Sequence, residues 1–203
     1  MKTNHRLVLP VSAAAFLVCS VAAGIGLLRP FDVWMLGLVQ RHPTEIMDAV
    51  GLLTSVVGGV EFVAVAAGAL ATSLVVGGRR GLALRILAAF VITGLVEVVF
   101  KMLVPQAPVP DGVLRGPDPS LLDLSTPYPY PSGHMLRSVL LLGAVFVLWP
   151  SKAGRGAILT FLVASAACRI YLGTHWPSDV IGGALLGIAG LAWAFGKHQP
   201  PGP

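Results

Sequence analysis

The sequence predicts an all-α membrane protein, a polytopic bundle of six transmembrane helices. Hydrophobic residues make up 55% of the 203 residues and charged residues only 11%, with a mean hydropathy of +0.82. A soluble domain carries about 25% charged residues, so this chain cannot cover a water-facing surface. Its apolar residues also fall into runs close to the roughly 20 residues that a helix needs to cross a bilayer. Soluble enzymes, disordered tails and coiled coils are therefore excluded.

Six apolar runs are predicted to form the transmembrane helices. The first is longer than the apolar core of about 7–15 residues in a cleaved signal peptide, which favours a retained helix. The glycine pairs Gly58-Gly59 and Gly182-Gly183 predict close packing between helices. In chain order the runs cover residues 7–28, 50–76, 82–104, 134–149, 157–172 and 178–195.

The connections complete a single domain predicted over residues 1–203. Residues 31–40 (FDVWMLGLVQ) are expected to form a short helix at the membrane interface, and residues 105–131 form a long loop rich in Pro and Asp. The parts of the domain are a core at about 50–196, a first helix with the interfacial segment in 1–49, and a disordered tail at 197–203.

The basic residues predict the orientation, because positive charge concentrates in cytoplasmic loops. One set of alternate loops holds Lys2, Arg6, Arg79, Arg80, Lys152, Arg155 and Lys197. The other set is richer in acids and holds Arg29, Arg41, Arg115, Asp32, Glu45, Asp48, Asp111, Asp118 and Asp123. Both termini are therefore expected in the cytoplasm and the long loop outside. The net charge of +5 forms no dense basic face, so no nucleic-acid partner is expected.

A group of ionisable residues at the ends of the third to sixth runs is not explained by topology. Such side chains cost a few kcal/mol each within a span, so they usually face a cavity and mark function. In a six-helix topology all of them lie near the outer membrane boundary. They are Lys101, His134, Arg137, Arg169, His175 and Asp179.

Two local patterns give this group a chemistry. Ser132 and Gly133 precede an apolar run, so Ser132 is a candidate N-cap whose helix start offers free N–H groups to an anion. His134 at that start is able to give a proton to a leaving oxygen. In the second pattern, Asp179 follows His175 by four residues and lies near a helix start. A carboxylate there would hold one imidazole nitrogen and leave the other free to attack.

In these motifs the chain resembles the type 2 phosphatidic acid phosphatase family of membrane-integral lipid phosphatases. That family carries Lys-x6-Arg-Pro, Pro-Ser-Gly-His and Ser-Arg-x5-His-x3-Asp in this order. Residues 131–134 give the second motif in full, and the third is present from Arg169 to Asp179 with Cys168 in place of the serine. The resemblance covers roughly residues 50–196.

The first motif departs from the family pattern. Lys101 stands at its start, but Pro108 and Val109 occupy the positions of the Arg-Pro pair. One phosphate-binding cation is therefore missing, and our hypothesis is that Arg137 or Arg115 supplies the lost charge. Glu97 precedes Lys101 by one helical turn and is expected to pair with it.

The resemblance implies a phosphatase that needs no metal and no cofactor. His175 would be the nucleophile and form a phosphohistidine, Asp179 would orient it, and His134 would protonate the leaving lipid oxygen. The phosphate oxygens would be held by a second set of residues, namely Lys101, Arg169, Ser132, Gly133 and Arg137.

The resemblance also implies the substrate class and the location. The expected partners are the bilayer and a lipid phosphate in a bacterial cytoplasmic membrane, with the active site facing outside. A short chain of six helices resembles the members that act on polyprenyl phosphates or diphosphates, while phosphatidic acid and phosphatidylglycerol phosphate are also candidates. The alternatives are a phosphotransferase with a non-water acceptor, a lipid-phosphate binder without catalysis, and a transporter.

Overall fold

The computed structural model describes residues 5–115 and 126–196, and in these residues the protein is all-helical. The α-helices are α1 His5–Gly24, α2 Arg29–Val39, α3 Glu45–Gly58, α4 Val60–Val76, α5 Arg80–Leu103, α6 Gly133–Leu148, α7 Lys152–Tyr171 and α8 Pro177–Phe195. A 3₁₀ turn, Asp111–Val113, lies in the long loop. The predicted interfacial helix at 31–40 corresponds to α2. Lys2, Lys197, Asp118, Asp123 and the expected disordered tail lie outside the described residues.

The membrane character of the fold is confirmed, and the count of six spans is approximate. Four helices within the described ranges, α1, α5, α7 and α8, are long and apolar enough to cross a membrane. The predicted second span is not one straight helix, because α3 and α4 form a pair bent by 54°. The number of such spans in these ranges is five when this pair is taken as one. α6 has 16 residues, fewer than an average span of about 20.

α8 lies at the centre of the bundle, where it packs against α1, α5 and α6. Glycines permit this close approach. A Cβ at Gly183 would collide with the Ser132 carbonyl oxygen, and one at Gly187 would lie 2.9 Å from Val139 Cβ. The start of α8 is thereby held against the start of α6, as the glycine pair at 182–183 predicted.

The helix directions place the predicted site residues at one end of the bundle. Lys101 is in the last turn of α5 and Arg169 in the last turn of α7. α6 begins at Gly133 and α8 at Pro177, each next to residues of the second or third motif. The ends of α5 and α7 therefore meet the starts of α6 and α8.

Candidate active site

The pair His175–Asp179 forms across the first turn of α8. Pro177 opens this helix, and Asp179 Oδ2 accepts a hydrogen bond from the Trp176 backbone N–H at 3.0 Å. The same oxygen lies 3.2 Å from His175 Nδ1. Asp179 is fully buried, whereas 12% of the His175 side chain is exposed. The carboxylate is therefore fixed and the imidazole keeps one accessible edge.

The start of α6 is hydrogen-bonded to the His175–Asp179 pair through the backbone of Asp179. Ser132 caps α6 as predicted, since its Oγ accepts from Met135 N at 3.5 Å. The backbone N–H of Ser132 donates to the carbonyl oxygen of Asp179 at 2.9 Å. The two motifs, far apart in sequence, therefore share a backbone hydrogen bond.

The cations of the cluster converge on His134. This histidine is buried at the start of α6, and Arg169, Arg137, Lys101 and His175 lie within electrostatic range of its imidazole. The six ionisable residues singled out by sequence thus come together around the start of α6. Their arrangement can hold an anion with two or more negative oxygens beside two imidazoles.

Glu97 links two of these cations. Its carboxylate lies 3.2 Å from Lys101 Nζ and 3.4 Å from Arg137 NH1, which confirms the predicted pair with Lys101 and adds a second partner. Glu97 is buried, and a Cβ at Gly133 would collide with its Oε1. Glu97 therefore holds Lys101 and Arg137 side by side next to the start of α6.

Residues at and just before the bend between α3 and α4 accept hydrogen bonds from Arg137 and Arg169. The Gly58 carbonyl oxygen, which lies where α3 ends, accepts from Arg137 Nε at 3.3 Å. Ser55, one turn earlier, accepts a hydrogen bond from NH2 of the buried Arg169. The Gly58 carbonyl and the Ser55 hydroxyl thus orient two guanidinium groups, whereas the sequence predicts only close packing at Gly58-Gly59.

Arg115, the other candidate for the lost charge, lies elsewhere. Its guanidinium carbon is 5.2 Å from the centroid of the Tyr171 ring, and its backbone N–H donates to the Leu172 carbonyl at 3.0 Å. Gln40 Nε2 fastens the same segment through the carbonyl oxygens of Val113, at 2.9 Å, and Tyr171, at 2.8 Å. Arg137 therefore lies in the cluster around His134, while Arg115 covers the turn after α7.

Sequence reasoning missed a buried aspartate beneath the start of α8. Asp32 of α2 is fully buried and accepts hydrogen bonds from the Ser178 N–H at 2.9 Å and the Ser178 hydroxyl at 2.7 Å. The sequence alone groups it with the acids of the outer loops. The available signal was an ionisable residue inside an otherwise apolar segment, FDVWMLGLVQ.

The fold and the cluster define a class: an all-helical integral membrane protein with two histidines, a buried carboxylate and several cations at one end of the bundle. Comparison with known families then identifies the chain more closely. The model of the PAP2 superfamily matches residues 82–201, over half of the chain. The chain belongs to the PAP2 superfamily.

Individual relatives share shorter stretches with the chain. An undecaprenyl-diphosphatase of Sulfolobus acidocaldarius is 46% identical over 65 residues, which cover 30% of each chain. The putative undecaprenyl-diphosphatase YbjG of Escherichia coli is 33% identical over 75 residues, 34% of this chain and 37% of that protein. The chain thus aligns with about a third of the length of these curated relatives.

A solved structure shares the fold over nearly the whole chain. It is a transmembrane PAP2-type phosphatidylglycerolphosphate phosphatase from Bacillus subtilis. The TM-score is 0.77 with 18% sequence identity, over 93% of this chain and 94% of that one. At this identity the likeness concerns the fold alone.

Proposed function

We propose that the protein is a membrane lipid phosphatase that hydrolyses a lipid phosphomonoester or diphosphate through a phosphohistidine on His175. The observation that supports this most is the position of the His175–Asp179 pair, which shares a backbone hydrogen bond with the start of α6. Lys101, Arg137 and Arg169 lie within electrostatic range of His134 at that start. Three cations beside two imidazoles suit a phosphoryl group in transfer. A mere lipid-phosphate binder would have no need of the nucleophile, its carboxylate and the acid, and all three are present.

The geometry supports a two-step transfer. With His175 Nδ1 turned to Asp179, Nε2 is left to attack phosphorus as the bond to the leaving oxygen breaks. His134 gives that oxygen a proton and then takes one from the water that cleaves the N–P bond. Phosphate and neutral His175 result.

A second group of residues holds the phosphate oxygens. Lys101, Arg137 and Arg169 neutralise them, and the Gly133 N–H at the start of α6 adds a backbone donor. Ser132 Oγ accepts from Met135 N, so its own hydroxyl hydrogen is available to phosphate. No metal or cofactor takes part in any of these steps.

The favoured substrate is a polyprenyl diphosphate or phosphate. The two relatives that match about a third of their length are both named undecaprenyl-diphosphatase, and the Escherichia coli protein carries that name as putative. The solved structure of the same fold is named for phosphatidylglycerolphosphate, so this lipid and phosphatidic acid remain in the comparison. A phosphotransferase would share every step except the acceptor that receives the phosphate from His175.

The proposal is tested by phosphate release from detergent-purified protein, measured both with and without EDTA. The substrates are farnesyl and undecaprenyl diphosphate, undecaprenyl phosphate, phosphatidic acid and phosphatidylglycerol phosphate. We expect the highest kcat/KM with a polyprenyl substrate. His175→Ala should abolish release, because without the nucleophile only binding and electrostatic effects remain.

Three outcomes would contradict the proposal in different ways. Equal activity of His175→Ala would exclude the phosphohistidine, and inhibition by EDTA would exclude the metal-independent mechanism. Silence of the folded wild type on every lipid would favour the binder or a transferase, which added alcohol acceptors would reveal by a phosphorylated product.

A further inference from the structure

Asp32 occupies a position where an ionised side chain is costly. It is fully buried on α2, and burial raises the pKa of its carboxyl, while the hydrogen bonds from Ser178 oppose that rise. Such a group is retained only where polar partners hold it. Gln106 provides a third donor, with Nε2 at 3.4 Å from Asp32 Oδ2.

The donors to Asp32 come from the two segments that carry the proposed chemistry. Ser178 immediately precedes Asp179, the partner of His175. Gln106 follows Lys101 by five residues and also bonds Ser178 Oγ at 2.8 Å. Asp32 therefore ties the segment after Lys101 to the start of α8.

Neighbouring contacts reinforce the same junction. Trp176, the residue after His175, donates from Nε1 to the Ala107 carbonyl oxygen at 2.7 Å. Leu36 of α2, Val109 and Trp176 form a small apolar cluster. Hence the segment at 106–109, where the family motif would supply a cation, is instead docked onto the residues that flank His175.

We propose that Asp32 is a positioning residue that sets the placement of His175 and Asp179 relative to the phosphate-binding cations. This inference rests on the proposed phosphatase function. Asp32 acts through the Ser178 N–H and hydroxyl, which fix the first turn of α8, and through Gln106, which fixes that turn against the end of α5.

The contacts also specify which kinetic constant depends on Asp32. The three proposed phosphate-binding cations are held by Ser55, Gly58 and Glu97. The hydrogen bonds described for Asp32 go instead to Ser178 and Gln106. Loss of Asp32 should therefore leave phosphate binding largely intact and disturb the nucleophile. A displacement of about 1 Å at a reacting group costs on the order of 100-fold in rate.

The experiment measures kcat and KM of the purified full-length chain with farnesyl diphosphate. Asp32→Ala should lower kcat by about 10- to 100-fold and change KM by less than about 3-fold. Asp32→Asn keeps an oxygen that accepts from the Ser178 N–H, so kcat should return to within about 5-fold of wild type. Glu45→Gln, an exposed acid at the start of α3, serves as the matched control and should leave both constants unchanged.

Each result bears on the inference. A folded Asp32→Ala protein with wild-type kcat would overturn it, as would a rise in KM with kcat retained. If Asp32→Ala fails to fold, Gln106→Ala tests the inference in its place. We expect this variant to lower kcat by about 3- to 10-fold. An unchanged kcat in Gln106→Ala would overturn the inference. A folded wild type that is inactive on every lipid of the panel would overturn the proposed function together with this inference. An active wild type whose Asp32 and Gln106 variants keep the wild-type kcat would overturn only this inference.

Discussion

Single side chains in the cluster divide into those that sequence alone could identify and those that it could not. His134, Arg169 and Asp179 stood out because ionisable groups are costly near a membrane interior. Ser55 did not stand out, because hydroxyls are common in apolar helices and its partner Arg169 lies 114 residues away in the chain. Asp32 and Ser178 are separated by 146 residues, so only the folded chain brings them together.

We expect Arg137, rather than Arg115, to replace the cation missing from the first motif. It lies beside Glu97 and acts on His134, whereas Arg115 lies against Tyr171. A charge-assisted hydrogen bond to phosphate is worth about 2 kcal/mol, or roughly 30-fold in kcat/KM. We therefore expect Arg137→Ala to lose about 30-fold with farnesyl diphosphate and Arg115→Ala to stay within about 2-fold. The reverse order of the two variants would place the substitute cation in the outer loop.

At the scale of the helices, the length of the apolar runs was sufficient to predict where α1, α5, α7 and α8 lie. The bend between α3 and α4 was not predicted, because a glycine pair inside an apolar run is compatible both with close packing and with a break. The structure shows both at once. Gly59 has an extended backbone that ends α3, and Gly58 packs against α6.

Gly58 tests the contribution of this bend to the site. A Cβ there would lie 3.0 Å from both His134 Cδ2 and Ser138 Oγ, so Gly58→Ala must shift the proposed acid. We expect a loss of about 10-fold in kcat, since small displacements of a catalytic group are costly. Gly68→Ala on α4 is the matched control, because its Cβ would meet no atom within 4 Å. Its activity should be unchanged, and equal kcat in the two variants would show that the bend does not constrain His134.

At the scale of the whole molecule, the candidate site and the basic turns lie at opposite ends of the bundle. The candidate site lies where α5 and α7 end and where α6 and α8 begin. Arg79 and Arg80 precede and open α5, and Lys152 opens α7, so these basic residues lie at the opposite end of the bundle. Sequence predicted this separation because it depends only on the order of apolar runs and basic turns.

This separation of charge predicts the orientation in the membrane. Basic residues are retained on the cytoplasmic side, so the site should face outside and its lipid phosphate should be reached from that side. Asp111 and Lys152 are exposed, and they are expected on opposite sides of the membrane. A cysteine at each position therefore reports the orientation. In a Cys19→Ala, Cys168→Ser background, we expect Asp111→Cys to react with an impermeant maleimide in intact cells. Lys152→Cys should react only after the cells are permeabilised. Equal labelling of both variants in permeabilised cells is the control that shows that each thiol is accessible. Labelling of Lys152→Cys alone in intact cells would invert the orientation and place the hydrolysed phosphate in the cytoplasm.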